Sequence, residues 1–516
     1  MPFIHDIRVY KFLTVNLSLG DSVSRQRKFQ KRAPSVPIEK IDDYRWRIPK
    51  SYKSGMRVPG MIFADQQLIE KIQTDRTLDQ CANVAHLPGI YNYAITLPDG
   101  HEGYGFPIGG VAATDYEQGV LSPGGVGYDI NCGVRLLTTN LSEGDIRPYL
   151  RALTNTIFNK VPSGLGSSRK DFRLNIHELE KLVTDGVSWA VEKGLGRPED
   201  IKHCEEGGRM AGANPDKVSS RAKQRGLPQT GTLGSGNHFL EIGKVDKIYD
   251  KKVAKTFGIT HQGQVTVLIH CGSRGFGHQT CSDYLRVMER AVQKYNISVP
   301  DRELACAPAT SDEAQDYYQA MACAVNYAFV NRQVITHWVR QSFEEILKKP
   351  SEEFGLDLVY DVAHNIAKIE EHIIEGKRTK VWTHRKGATR CFPPEHKDIP
   401  ADYRTVGQPV IIPGSMGTSS WLLVGTQKAM ELSFGSTAHG AGRMLSRSAA
   451  KRRFWGGDVK QELERRGIVV RSASSVVLAE EADLAYKNVD NVVEVSDRVG
   501  IATRVVRMVP IGVVKG

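Results

Sequence analysis

In "VITHWVRQSFEEIL", residues 334–347, the apolar positions are Val334, Ile335, Trp338, Val339, Phe343, Ile346 and Leu347. Spacings of three and four lay them along one face of a helix. The same period predicts helices over 174–193, 282–295, 312–347 and 457–466. His337, on the core-facing helix, reads as structural rather than as a ligand. Shorter β-rich runs lie between the helices. "GVRLLTTNL" begins just after Cys132, "VTVLIH" ends at His270, "LDLVYDVAH" ends at His364, and "QPVIIPGSMG" runs into a turn at Gly414. Each meets a loop in which glycine accompanies His, Asp or Cys, and ligand sites gather where strands end in loops. From Pro37 onward there is no repeat and no low-complexity linker. The pattern predicts an α+β fold with one large catalytic domain over 38–516: mixed sheets flanked by helices, with the active-site cleft at the strand ends.

Composition changes this picture little. A length of 516 residues allows about three domains on size alone, but polar signatures confined to strand ends favour one enzyme with one site. Hydrophobic content of 40% and charged content of 25% are ordinary for a globular chain. The net charge of +11 favours an anionic partner such as nucleic acid or nucleotide. No apolar run reaches transmembrane length, no signal peptide is read, and no membrane partner is expected. The eight cysteines include no CxxC pair and no regular spacing, which argues against a zinc ribbon, a redox pair or a disulfide scaffold. A reducing, cytoplasmic setting fits. Residues 1–37 form a basic extension containing "RQRKFQKR"; it is expected to be disordered, with a nucleic-acid-binding arm as the sharper alternative.

The candidate chemistry lies in the loops. "SPGGVGYDINCGVR", residues 122–135, places Asp129 three residues before Cys132 in a stretch too glycine-rich for a helix. "GTLGSGNHFLE" carries Asn237, His238 and Glu241, "HCGSRGFGH" carries His270, Arg274 and His278, "DVAHN" carries His364 and Asn365, and "STAHGAGR" carries His439 and Arg443. A lone loop histidine is usually a surface or hydrogen-bonded residue; four loops repeating one chemistry are not easily coincidental. Thiolate, carboxylate and imidazoles together suit Mn, Co or Zn better than Mg or Ca. Five ligands exceed one open tetrahedral site and suit two metals sharing the thiolate. Arg274, Arg443, Lys386 and Arg390 are candidates to hold phosphates. "PGSMGTSS" (413–420) has the glycine-rich character of an anion nest but lacks the GK[ST] of a Walker loop, and "GTLGSG" does not fit the dinucleotide fingerprint.

At these residues the chain resembles the RtcB family of RNA ligases, in wording nearest to the archaeal type. The matching stretches are "NVAHLPGIYNYAITLPDGHEGYGFPIGG", "SPGGVGYDINCGVR", "GTLGSGNHFLE", "HCGSRGFGHQ", "YDVAHNIAKIEEH", "HRKGATR", "IPGSMGT", "HGAGR" and "IGVVKG". The resemblance implies a GTP- and Mn²⁺-dependent ligase joining RNA 2′,3′-cyclic phosphate or 3′-phosphate ends to 5′-hydroxyl ends. Its RNAs are tRNA exon halves and broken RNA ends, and archease is a common activating partner. It implies one Mn²⁺ on Asp129, Cys132 and His238, and a second on Cys132, His270 and His364. His439 is the implied nucleophile that takes GMP. Asn237, Glu241, Asn365, Pro413, Gly414, Ser415, Ser420, Tyr486 and Lys515 are implied nucleotide contacts, with Phe239, Met416, Gly440, Ala441 and Gly442 beside His238 and His364 in the same pocket.

Two positions depart from the family's wording: Ala438 stands where cysteine is expected, and Cys271 where a small hydroxyl residue is usual. Neither removes an implied ligand. Glu241 has a second reading, orienting His238 instead of meeting guanine, and Arg274 a structural ion pair instead of phosphate. His101, in "PDGHEGYGF", and His278 are open between structural, ligand-orienting and RNA-contacting roles. A dinuclear phosphodiesterase would need the same metals but neither a histidine nucleophile nor GTP. An RNA-binding scaffold with a dead site is disfavoured by the intact ligand set.

Overall fold

The computed structural model describes residues 35–169 and 172–516. Residues 1–34, most of the expected basic extension, lie outside the described residues. The architecture is α+β, with two large mixed sheets and helices packed on them. The first sheet runs, by strand, 39–40, 45–48, 60–63, 94–101, 108–115, 377–386, 365–374. The second runs 357–363, 133–142, 264–271, 239–248, 502–515, 420–425, 409–412, with 469–472 pairing parallel to 502–515. The chain crosses from the second sheet to the first at one residue, because strand Asp357–Ala363 and strand Asn365–Ile374 are separated only by His364. A two-stranded ribbon, Ala388–Arg390 against Ser436–Ala438, carries the backbone on to His439.

Helix Asp312–Leu347 matches its predicted span. The Ser311 side chain accepts from the Ala314 amide, Asp312 and Glu313 lie in the positively polarised first turn, and Lys348 closes the helix in the left-handed region at φ 59°. The 457–466 expectation becomes Gly456–Arg465. The 174–193 expectation is corrected to two helices, Ile176–Asp185 and Val187–Glu192. They break at Gly186, whose φ is +63° and where a Cβ would lie 2.3 Å from the Gly208 carbonyl oxygen. The 282–295 helix starts earlier, at Arg274. Its glycines imitate a loop in sequence, yet Gly277 is needed because a Cβ there would meet the Ser273 hydroxyl at 1.9 Å.

The long helix brings polar groups into the core beneath the Asp129–Cys132 loop. Arg332, fully buried, donates to the Asn131 carbonyl at 2.9 Å, to the Cys271 carbonyl at 2.8 Å and to the Asp361 carboxylate at 2.9 Å. Arg135, also buried, donates to the same Asp361 at 2.8 Å. Charges out of water are tolerated only when fully paired, and here every partner is supplied. None of the helices in the described residues is long and apolar enough to cross a membrane. All eight cysteines are free and buried.

Candidate active site

Register across the second sheet gathers the candidate ligands at one edge. Val134 pairs with His270, Gly133 with Ala363, and Phe239 with both His270 and Lys515. Strands 133–142 and 239–248 start at this edge while 264–271, 357–363 and 502–515 end there. Residues from five separate strand ends therefore line up as His364, Cys132, His270, His238 and Lys515. Antiparallel pairing produces this alternation of starts and ends.

The side chains converge. Cys132 Sγ lies 3.3 Å from His270 Nε2 and 3.5 Å from His238 Nε2. His270 Nε2 and His364 Nε2 are 3.3 Å apart, and His238 Nε2 is 2.7 Å from Asp129 Oδ2. Two three-ligand groups result, Cys132–His270–His364 and Asp129–Cys132–His238, each with donor atoms within 4.8 Å of one another and both containing Cys132. Burial, then the neighbouring imidazoles, pushes His270 and His364 well below the usual histidine range. Both rings are thus neutral, the form that binds metals. Burial, then Asp129, raises the Cys132 thiol to about 11. A cation is what would ionise it, so the donor set fits two d-block ions better than none. Close approach is built in: a Cβ on Gly272 would sit 2.3 Å from Asp129 Oδ1, and one on Gly234 would sit 2.0 Å from His238 Nδ1.

His439, at the end of the two-stranded ribbon, closes the cleft from the opposite side. Its ring centroid is 5.2 Å from that of His364. Its Nδ1–H donates to Asp99 Oδ2 at 2.5 Å, and its backbone N–H donates to the same oxygen at 3.0 Å. Burial alone would raise the Asp99 carboxyl; the facing His439 and nearby Lys487 hold it below its ordinary value. It is therefore a carboxylate aimed at the imidazole. Nε2 has no hydrogen-bond partner among the described residues.

The cleft encloses about 990 Å³. Asn237, Phe239, Pro413, Gly414, Ser415, Met416, Gly440, Ala441, Gly442, Tyr486 and Lys515 all line it, with the histidines and Asn365. Burial lowers the Lys515 ammonium to about 8, with Glu481 opposing the shift. Tyr486 donates to Glu481 and accepts from Arg443 at 2.8 Å. Asn365 spends its amide on the scaffold, donating to the Asp129 carbonyl at 3.0 Å and accepting from the Gly387 amide at 2.8 Å. Glu241 and Ser420 sit behind the wall rather than on it. Ser420 donates to Glu241 Oε2 at 3.4 Å and to no cleft residue, while accepting from the Gly414 amide at 3.2 Å. Glu241 does not orient His238, whose Nδ1 faces Cys271 Sγ at 3.8 Å.

Of the four candidate phosphate cations, Arg274, Arg443 and Lys386 reach the cleft. Arg390 does not. It is buried and paired with Glu205 at 3.3 Å, in a cluster with Lys368, so its role is corrected to structural. Arg274 donates to the Thr232 hydroxyl at 3.2 Å and the Gly164 carbonyl at 3.3 Å, and forms no ion pair among the described residues. His101 and His278 line the cleft; His101 Nδ1 is 2.9 Å from the Asp99 carbonyl and His278 stacks on Tyr128. His337 stays outside, bonded to Gln341 at 3.0 Å on its own helix. Sequence reasoning missed Asp99 and Arg332. Asp99 lay within the quoted "PDGHEG", a glycine loop of the same kind as the others. Arg332 had a signal too: "NRQ" (331–333) interrupts an otherwise apolar helix face.

Comparison with known proteins gives one answer. A family model described as tRNA-splicing ligase RtcB matches residues 80–516. A tRNA-splicing ligase RtcB of Thermococcus kodakarensis is 58% identical over 481 residues, covering 93% of this chain and 99% of that protein. Those of Pyrobaculum aerophilum and Archaeoglobus fulgidus are 58% and 56% identical, each over 93% of this chain and 100% and 99% of their own lengths. With its ligand-bearing loops and its model match covering most of the length, the chain belongs to the RtcB family of tRNA-splicing ligases, which are RNA-joining enzymes.

Proposed function

We propose that this chain is a GTP- and Mn²⁺-dependent ligase that joins RNA 2′,3′-cyclic phosphate or 3′-phosphate ends to 5′-hydroxyl ends through a histidine–GMP intermediate. It would act on tRNA exon halves and broken RNA ends in the cytoplasm, with archease as activator. The observation that carries the reading is His439: one ring nitrogen tied to buried Asp99, the other free, beside two ligand groups sharing Cys132.

Asp129, Cys132 and His238 would hold one ion, and Cys132, His270 and His364 the other. Bound there, such ions would neutralise charge on phosphoryl oxygens during in-line displacement. The protein's own residues do the rest. The Nε2 lone pair of His439 attacks the α-phosphorus of GTP, forming a P–N bond as the bridging P–O bond breaks and pyrophosphate leaves. Positive charge develops on the imidazole, and Asp99 offsets it through Nδ1–H. An oxygen of the RNA 3′-phosphate then takes the GMP from His439. Finally the 5′-hydroxyl oxygen attacks the activated RNA phosphorus, its proton departs and GMP leaves. A cyclic end first needs water added across one P–O bond. Lys515, Tyr486 and the 413–416 loop line the cleft and would hold the nucleotide, with Glu241 just behind them as the candidate base-recognition carboxyl.

The test is covalent labelling. The chain incubated with α-³²P-GTP and Mn²⁺ should carry label after denaturation, and His439→Ala should carry none. Absence of label from a metal-loaded preparation supplied with archease would favour a dinuclear phosphodiesterase, which needs no GTP.

A further inference from the structure

The helix Arg447–Arg453, "RSAAKRR", carries four cations and no acid. Its first residue, Arg447, lines the cleft. Arg447 and Lys451 lean on Glu480 at 3.0 and 3.7 Å, whereas exposed Arg452 and Arg453 meet no carboxylate among the described residues. Two residues beyond the helix, Trp455 is 71% exposed. An exposed apolar patch rimmed by polar groups marks an interaction surface, and here an indole stands beside cations that meet no carboxylate among the described residues. A Cβ on Gly456 would strike the Ser475 carbonyl at 1.9 Å, and a Cβ on Gly457 would lie 2.7 Å from the indole Nε1. The two glycines let the backbone press against the neighbouring helix while the indole lies over Gly457 with its outer face open. Val476 at 56% exposed follows Ser475 on that neighbour and extends the apolar surface.

The geometry points to this segment, Arg447 to Trp455, as a docking track for single-stranded RNA leaving the cleft, with Arg452 and Arg453 holding phosphates and a base stacked on Trp455. The inference rests on the ligase reading and deepens it. A basic helix continuous with the cleft wall is complementary to a polyanion, and an open aromatic face stacks on any base. From Arg447 to Arg453 the helix rises about 9 Å, within reach of a few nucleotides. An acidic protein partner would use the cations but has no need of an indole exposed beside them.

The experiment uses the full chain and a 5′-hydroxyl RNA oligonucleotide. RNA should quench the tryptophan fluorescence of the wild type, and Trp455→Phe should lose part of that quench while keeping affinity. Trp455→Ala should raise the KM for RNA about tenfold and leave kcat and labelling by GTP unchanged. The double variant Arg452→Gln/Arg453→Gln should reduce the salt slope of RNA binding by about 1.4, at about 0.7 per phosphate contact. Unchanged KM and unchanged quench in the Trp455 variants would overturn the proposal and leave the segment to a protein partner. The direct binding titration separates this from failure of the ligase reading. A wild type that joins no RNA defeats that reading, whereas a wild type that joins RNA with an indifferent Trp455 defeats only the track.

Discussion

Asp99 Oδ2 accepts both the ring Nδ1–H and the backbone N–H of His439, 340 residues away in sequence. One oxygen thus sets the tautomer, the rotamer and the loop position of the residue proposed to take GMP. Asp99→Asn should keep the fold and lower guanylylation by roughly 10–100-fold. Label accumulation on the chain with time, against circular dichroism as a fold control, measures this; wild-type labelling would leave Asp99 without a positioning role.

Cys132 belongs to both ligand groups. Cys132→Ala should abolish labelling and joining together and reduce bound Mn²⁺ below the two ions per chain expected of the wild type. Equilibrium dialysis against Mn²⁺ gives the stoichiometry. Two retained ions would sink the shared-thiolate assignment.

Metal should also stabilise. A ligand that binds only the folded chain adds about 2.7 kcal/mol at a hundredfold excess over Kd. Adding Mn²⁺ to stripped protein should therefore raise the melting temperature, chelation should reverse the rise, and Cys132→Ala should be nearly insensitive. Differential scanning calorimetry reads all three.

Asp361 accepts from both Arg332 and Arg135, all three side chains fully buried. Asp361→Ala leaves two guanidiniums without their carboxylate and should cost about 3–5 kcal/mol of stability, measured by urea unfolding. Because Arg332 also holds the Asn131 and Cys271 carbonyls, Mn²⁺ affinity should fall with it. A stable variant of normal affinity would separate the two.

Burial raises the Glu241 carboxyl to about 8, against the opposing Ser420 hydrogen bond. The folded chain keeps this proton up to about pH 8, whereas the unfolded chain loses it near about 4.3. Its contribution to stability is therefore full below that lower value and is lost as pH rises toward 8, levelling beyond it. Glu241→Gln should flatten the decline in the urea midpoint between pH 5 and 8; an unchanged slope would mean the carboxyl is ionised in the native state.

Much of this molecule was legible in its sequence. The 312–347 helix announced itself because the apolar period of its 334–347 half is regular and its caps are local. The strands ending at His270 and His364 were legible for a similar reason: β-rich runs stop where glycine loops begin. Local signals failed where packing overrides them. Gly186 splits a continuous apolar period because a neighbouring carbonyl leaves no room for a side chain, and glycines 275 and 277 hide a helix start that close packing demands.

The sequence by itself determined which side chains could do chemistry here, because a thiol, a carboxylate, imidazoles and glycines in short loops are chosen residue by residue. Only the tertiary structure decided how they combine. Sheet register brings His364, Cys132, His270 and His238 to one edge, and the first sheet carries Asp99 to His439. The same folding takes Arg390 out of the cleft its loop suggested and sets Glu241 just behind the Gly414 wall, reached through Ser420. Register and sheet order here depend on pairs such as Val134 with His270 and Phe239 with Lys515, more than a hundred positions apart, and no local pattern in a chain encodes that pairing.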